Sequence, residues 1–321
     1  MSENGSNDAS GARMRAMGTT EAGGPEVLLP VEIARPVPGP TEILVRVHAA
    51  GVNPVDWKRR ARGGAPAGEL FVPGYDVSGV VEAVGDGVLL FAPGDEVFGM
   101  PCFPHQARAY AEYVTAPARH FALKPASLDH TRAAALPLAA LTARQALVDI
   151  ADVRPGQRVL IHAAAGGVGH LAVQIAKALG AYVLGTASAG KHAFVRSLGA
   201  DEVIDYTTTD FVRAARDIDV VVDPIGGENA VRSLRTLRPG GRLVQLLPDA
   251  PVEAARAQGL EAGFMLVEPD RAGLRAIAAL VDSGRLRVEL DTVLPLAEAA
   301  KAHALGETDR TTGKIVLTVT E

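Results

Sequence analysis

The stretch Val159–His192 constrains this chain more than any other. The apolar run Val159–Ala163 predicts a buried strand, which breaks at the glycine turn Gly166-Gly167-Val168-Gly169. Leu171, Val173, Ile175, Ala176 and Leu179 then recur at helical spacing, Gly180 stops the helix, and Ala181–Thr186 predicts a second strand. A strand, turn, helix and strand in that order form a βαβ unit, which points to a parallel sheet with crossover helices. Glycines at the first turn let backbone N–H groups approach a pyrophosphate, and the helix N-terminus adds positive potential. The pattern predicts a dinucleotide site. A glycine triplet is weak evidence by itself, because glycine also serves packing at such junctions. Here Ala164 holds the first place of G-x-G-x-x-G, with Gly166 and Gly169 in the other two. The strand before and the helix after supply the context that the fingerprint needs.

The end of the second strand bears on which dinucleotide is bound. A site for NAD usually carries Asp or Glu about 20 residues past the glycines, on the ribose hydroxyls. The corresponding stretch, Gly185-Thr186-Ala187-Ser188-Ala189-Gly190-Lys191, has no carboxylate. Ser188 and Lys191 would accept a 2′-phosphate that an Asp would repel. The cofactor expected is therefore NADP(H), the alternative being a solvated helix start with Ser188 as N-cap. Tyr206 ends the next predicted strand, Glu202–Asp205, and is either a wall for the adenine end or an edge-of-core tyrosine.

The rest of the 321 residues is organised around this unit. Residues 14–124 read as short strands, among them Glu42–Ala50, Gly79–Val84 and Glu96–Gly99, punctuated by Pro73-Gly74, Gly85-Asp86-Gly87 and Pro93-Gly94-Asp95. That pattern predicts a partly open barrel. Residues 131–150 are Ala/Leu-rich and helical, broken at Pro137. Strands and helices alternate from there, with further strands at Val220–Asp223 and Arg242–Leu247 and a helix at 271–283; β character returns over Val288–Glu321, ending in a strand from Lys314 to Thr320. The expected architecture is α/β: a doubly wound parallel sheet, Rossmann-like, over 125–268, inserted in a mainly β, partly open barrel built from 13–124 and 269–321. Residues 1–12 are polar and small and are expected to be disordered. The cleft between the two units is the default site. A net charge of −5 gives no general attraction to nucleic acid or anionic lipid. A single cysteine, Cys102, rules out an internal disulfide and fits a cytoplasmic protein, and no apolar run reaches membrane-spanning length.

With these elements in place, the chain resembles the medium-chain dehydrogenase/reductase superfamily, in its zinc-independent quinone oxidoreductase and enone reductase branch, which implies a GroES-like β domain. The matching stretches are Gly51–Lys58, Pro73–Val81, Pro93–Val97, Leu136–Thr142 with Gln145–Leu147, Ala163–Gln174 and Gly313–Leu317. Where zinc-dependent members of the superfamily carry a cysteine ligand, this chain has Asn53; their Gly-His-Glu matches Gly74-Tyr75-Asp76, and their third ligand falls near Ala139 or Ala140. Residues 99–112 are short and hold only Cys102 in place of a four-cysteine zinc lobe. A catalytic zinc needs three N, S or O side chains around an open position. The resemblance therefore implies no metal, and the eight histidines show no ligand spacing.

Without a Lewis acid, reduction of an electron-poor C=C is easier to support than oxidation of an alcohol. Hydride adds to the β-carbon, charge moves to the carbonyl oxygen as an enolate, and hydrogen-bond donors must receive it. A quinone is the doubly conjugated form of the same acceptor. The resemblance makes Asn53 the first candidate in the cleft, against its reading as a turn residue before Pro54. Asp56 follows on the same turn as a further catalytic candidate, or as a residue that only orients its neighbours, and Lys58 reads as a surface charge. Tyr75, in a zinc ligand's place, is a candidate phenol donor or a packed core tyrosine. For the cofactor the candidates are Thr142, Gly166, Gly167, Val168, Gly169, Ser188, Lys191, Tyr206, Leu246, Leu247, Phe264 and Lys314, with Met265 and Val267 beside Phe264 and with Arg310 read as surface charge. The expected function is NADPH-dependent hydride transfer to a small conjugated carbonyl or quinone. An enoyl-thioester reductase, with Arg59, Arg60 and Arg62 as a groove for a carrier phosphate, and a non-catalytic NADPH-binding protein are the alternatives. The resemblance also implies a homodimer through the nucleotide domain.

Overall fold

The computed structural model describes residues 11–320; the tail expected over 1–12 lies, up to residue 10, outside the described residues. Two sheets and one two-stranded ribbon account for the strands. The first sheet has six parallel strands in the spatial order Glu202–Ile204, Tyr182–Thr186, Arg158–Ile161, Ile218–Asp223, Leu237–Gln245 and Glu261–Phe264. Counted along the chain this is 3-2-1-4-5-6, and the direction of winding reverses beside Arg158–Ile161, where the crevice at the carboxyl ends of the strands opens. Its strands are apolar runs because both faces are covered. Val159, Ile161, Val183, Val220, Val222 and Val244 join the core on one face, and Leu160, Leu184, Val221 and Leu243 the core on the other.

The second sheet is centred on the long strand Glu42–Val52, which pairs antiparallel with Asp76–Val84, Tyr113–Pro117 and the C-terminal strand Lys314–Thr318. Glu96–Gly99 and Phe121–Leu123 extend it on one side, and Leu290–Pro295 closes the other. The ribbon pairs Arg13–Gly18 with Leu29–Ala34. Chain from both ends thus builds the β unit. No helix among the described residues is long and apolar enough to cross a membrane.

Helix His130–Ala134, capped by Asp129, leads out of the β unit, and helix Pro137–Arg144 begins the nucleotide unit. Pro137 sits at a helix start, where a missing N–H costs nothing. Past Arg144 the helix widens into a π-turn over Gln145–Ile150. There the Gln145 side chain donates to the Glu268 carbonyl at 2.8 Å and accepts from its N–H at 3.0 Å. This pins the chain just before helix Arg271–Asp282, whose Leu274, Ile277 and Val281 join the same core as Val159 and Ile161. The boundary expected at 268/269 thus falls before a helix that packs with the nucleotide unit, and β structure resumes at Leu290. The strand expected over 242–247 spans Leu237–Gln245, leaving Leu246 and Leu247 beyond its end.

Candidate functional site

A cleft of about 930 Å³ lies between the two units. Its floor is the glycine turn. Gly166 N–H donates to the Ala163 carbonyl at 2.8 Å, and Ala163 takes a left-handed φ of 47°. A Cβ on Gly169 would stand 2.1 Å from the Ala163 oxygen, so only glycine lets helix Gly169–Ala178 start this close to the turn. Ala164 replaces the first fingerprint glycine without penalty because Gly185 faces its methyl; a Cβ there would lie 2.8 Å away. Gly166, Gly167, Val168 and Gly169 all line the cleft, as expected of a pyrophosphate turn.

At the end of Tyr182–Thr186, Ser188 and Lys191 also line the cleft, and Ser188 makes no capping hydrogen bond. The Lys191 ammonium donates to the carbonyls of Arg310 at 2.8 Å and Thr311 at 2.9 Å. Tyr206 is 59% exposed on the cleft wall, which sets aside its reading as a core residue. Leu247 lines the cleft too. Thr142, Leu246 and Phe264 do not. The Thr142 hydroxyl is spent on the Leu138 carbonyl at 2.7 Å within its own helix, Leu246 packs on the core, and Phe264 is 43% exposed on an edge strand. Met265 and Val267 are core residues.

On the β side, Asn53 caps helix Pro54–Ala61 and lines the cleft. Its amide is held at both ends. The oxygen accepts from the Lys314 ammonium, and the nitrogen donates to the Asp76 carboxylate at 2.8 Å. Lys314 also donates to the Val52 carbonyl at 3.0 Å and lies 3.4 Å from Asp76, whose other oxygen accepts from Leu138 N–H at 2.7 Å. Burial drives Asp76 up and Lys314 down, and each opposes the shift of the other. Lys314 lines the cleft, but its three ammonium protons are directed at protein acceptors, so its ammonium is committed to the protein in this geometry. Asn53 is 1% exposed, and beyond its bond to Asp76 its amide nitrogen keeps one N–H without a protein partner.

Two candidates are corrected by their surroundings. Asp56 is fully buried and off the cleft wall; it accepts from Asn53 N–H and Gly74 N–H, both at 2.8 Å, and burial lifts its carboxyl to about 7. It is a clamp for the loop that carries Asn53. Tyr75 is 1% exposed, with its hydroxyl accepting from Arg59 and its ring edge-on to Phe103 at 5.1 Å. It faces away from the cleft because the core takes the ring and Arg59 takes the oxygen. The arginine groove also dissolves. Arg60 is buried between His303, at 3.1 Å, and Glu307, at 2.5 Å, while Arg59 is committed to Tyr75 and the Pro104 carbonyl.

The structure adds Trp57, Lys58 and the segment 306–313 to the cleft wall. Trp57 was accessible from spacing, since it lies four residues after the cap Asn53 and so on the same helix face. Residues 306–312 carry no local signal; tertiary contacts alone bring them there. Among the described residues, no group of three or more His, Cys, Asp or Glu side chains stands where it could hold a metal ion. His162 and His170 are satisfied core histidines, the first between Thr186 and Ser233, the second between Gly166 and Glu289.

Residues 39–126 match the model of the alcohol dehydrogenase GroES-like domain, and residues 198–317 that of the zinc-binding dehydrogenase. Over 95% of its length the chain is 34% identical to the pig (Sus scrofa) quinone oxidoreductase, covering 97% of that protein. The chain belongs to the medium-chain dehydrogenase/reductase superfamily. This medium-chain oxidoreductase is also 36% identical to 2-methylene-furan-3-one reductase of Solanum lycopersicum, over 95% of the chain and 79% of that protein. Among solved structures, the Coxiella burnetii quinone oxidoreductase matches with a TM-score of 0.90 at 37% identity, covering 96% of this chain and all of that one. A mycobacterial protein solved with NADPH matches at 0.84 and 32% identity, over 95% of this chain and all of its own.

Proposed function

We propose that this oxidoreductase is an NADPH-dependent, zinc-independent reductase of quinones or of the C=C bond of α,β-unsaturated carbonyls. The observation that carries the reading is the Asn53 amide, held by Lys314 and Asp76 on the wall of the cleft that the glycine turn also lines. The donor set supports a reading without zinc. Asn53 is engaged at both ends, Tyr75 faces the core, and Ala139 and Ala140 bring no ligand atom. The cleft fits a phosphorylated dinucleotide. Its glycine turn leaves room that side chains would fill, and Ser188 and Lys191 stand where an NAD site usually has a carboxylate. A mycobacterial relative solved with NADPH and relatives named for quinone and enone reduction support the same choice.

Reduced nicotinamide, when bound, supplies the hydride. The protein's part is orientation and charge. Asn53 offers its remaining N–H to the substrate oxygen that gains charge, and a pre-aimed donor needs no reorganisation during reaction. Asp76 and Lys314 fix which end of the amide faces the cleft. Trp57 gives the β-side wall a planar apolar surface against a flat conjugated acceptor. The proton that completes reduction is supplied by water or by a side chain of the cleft.

The test is NADPH consumption by the purified protein with a quinone, an enone, an enoyl thioester and an aldehyde, repeated with NADH and after chelator treatment. Chelator-resistant turnover of enone or quinone with NADPH preferred is expected. Aldehyde turnover that the chelator abolishes would overturn the zinc-independent reading, and equal use of NADH would overturn the cofactor choice.

A further inference from the structure

Residues 307–313 cross the cleft as a strap tied to both units. At one end, Glu307 is bound at 2.5 Å to Arg60, which is 1% exposed and also bonds His303 and the Gly23 carbonyl. At the other end, Gly313 N–H donates to the Ala165 carbonyl of the glycine turn at 2.9 Å. Between them, Thr312 N–H donates to Asp291 at 2.8 Å, and the Lys191 ammonium holds the carbonyls of Arg310 and Thr311. Glu307, Asp309, Thr311 and Gly313 face the same cleft as Ser188 and Lys191.

We infer that Lys191 is a latch shared by the strap and the cofactor: it orders residues 307–313 over the adenosine half of the cleft and reads a phosphate on the adenosine ribose with its remaining N–H. This rests on the NADP(H) reading above. An ammonium has three donors and no acceptor, and two of the three are spent on strap carbonyls. The third is free to meet an anion at the place where Ser188 stands. Lys191 lies partly desolvated, which lowers its affinity for its proton, with Asp291 opposing that shift. A phosphate dianion beside it holds the ammonium in place by charge, and the two strap carbonyls bonded to that ammonium are held with it. Phosphate recognition and ordering of the strap are then coupled through Lys191, and specificity for the phosphorylated cofactor acts through order in a segment of the other unit.

Two adenosine probes that differ by one phosphate test this without turnover. The intact protein is titrated with 2′,5′-ADP and with 5′-AMP, and amide hydrogen exchange is followed over 307–313. Tighter binding of 2′,5′-ADP by about tenfold, the worth of one charge-assisted hydrogen bond, is expected. Slower exchange in the strap with 2′,5′-ADP but not with 5′-AMP should accompany it. In Lys191→Met, checked for unchanged thermal unfolding, both differences should vanish. Equal binding of the two probes would overturn the NADP(H) reading and the latch together. Tighter binding of 2′,5′-ADP with the same strap exchange for both probes would overturn the latch alone, as would a strap response that survives in Lys191→Met.

Discussion

The Lys314 ammonium stands 3.4 Å from the Asp76 carboxylate, with the two side chains 4% and 0% exposed. Charges this far from water persist only when each satisfies the other, and removing one leaves the other unpaired, at a cost of roughly 3–5 kcal/mol. Lys314→Met is therefore expected to destabilise the protein by about that much. The double variant with Asp76→Asn should lose clearly less than the sum of the single changes, because no unpaired charge remains. Urea unfolding of the four proteins measures it. Additive losses would show that the two groups do not depend on each other.

Asn53→Ala removes the donor that the pair aims. If the amide serves the charged oxygen of the transition state, kcat should fall by about 10²-fold, as when one oxyanion donor is lost. The dissociation constant for NADPH should stay near that of the unaltered protein, since Asn53 lies on the β-side wall. Stopped-flow hydride transfer and equilibrium titration separate the two. A weaker cofactor with an unchanged rate would place Asn53 in binding instead.

The buried His303 makes stability depend on pH. Arg60 has no acceptor, so its contact at 3.1 Å with Nδ1 of His303 requires that nitrogen to be bare. The proton then sits on Nε2, which faces the Tyr110 hydroxyl at 3.3 Å, and Tyr110 donates in turn to Asp56 at 3.4 Å. Burial, with the Arg60 charge adding to it, pushes the imidazole down to about 3 from 6.5. A folded value below the unfolded one means stability present above pH 6.5 and lost as pH falls towards 3. At pH 5 the loss from this group is about 2 kcal/mol. His303→Gln can accept from Arg60 and donate to Tyr110 without titrating, so its stability should fall less between pH 7.5 and 5. Parallel curves for the two proteins would refute this.

Local pattern carried most of the nucleotide unit. Each of its central strands is an apolar run flanked by a turn signal, and the burial of Val159 and Leu160 on opposite faces follows from strand geometry alone. Its glycine turn was legible for the same reason. The β side of the site was legible as a position but not as a direction. Asn53 was named, yet nothing near it in sequence tells that Asp76 and Lys314, 23 and 261 residues away, hold its amide. Tyr75 shows the limit from the other side. A residue in a ligand's place need not face the site, and here the neighbours Arg59 and Phe103 decide where the ring goes.

Two glycines of the turn separate packing from binding. A methyl on Gly169 would meet the Ala163 carbonyl at 2.1 Å, and that oxygen cannot retreat easily because it accepts from Gly166 N–H. Gly169→Ala should therefore cost stability, by about 1–3 kcal/mol, together with nucleotide affinity. A methyl on Gly167 meets only the Lys314 stem at 3.4 Å and the Gly313 oxygen at 3.6 Å, which is ordinary contact, but Gly167 lines the cleft. Gly167→Ala should keep the melting temperature and weaken NADPH, because the added carbon takes space that a pyrophosphate needs against the backbone. Calorimetric melting and titration on both variants decide the matter. If Gly167→Ala bound NADPH as tightly as the parent, the pyrophosphate would not lie against this turn, and the assignment of the cleft floor would fall with it.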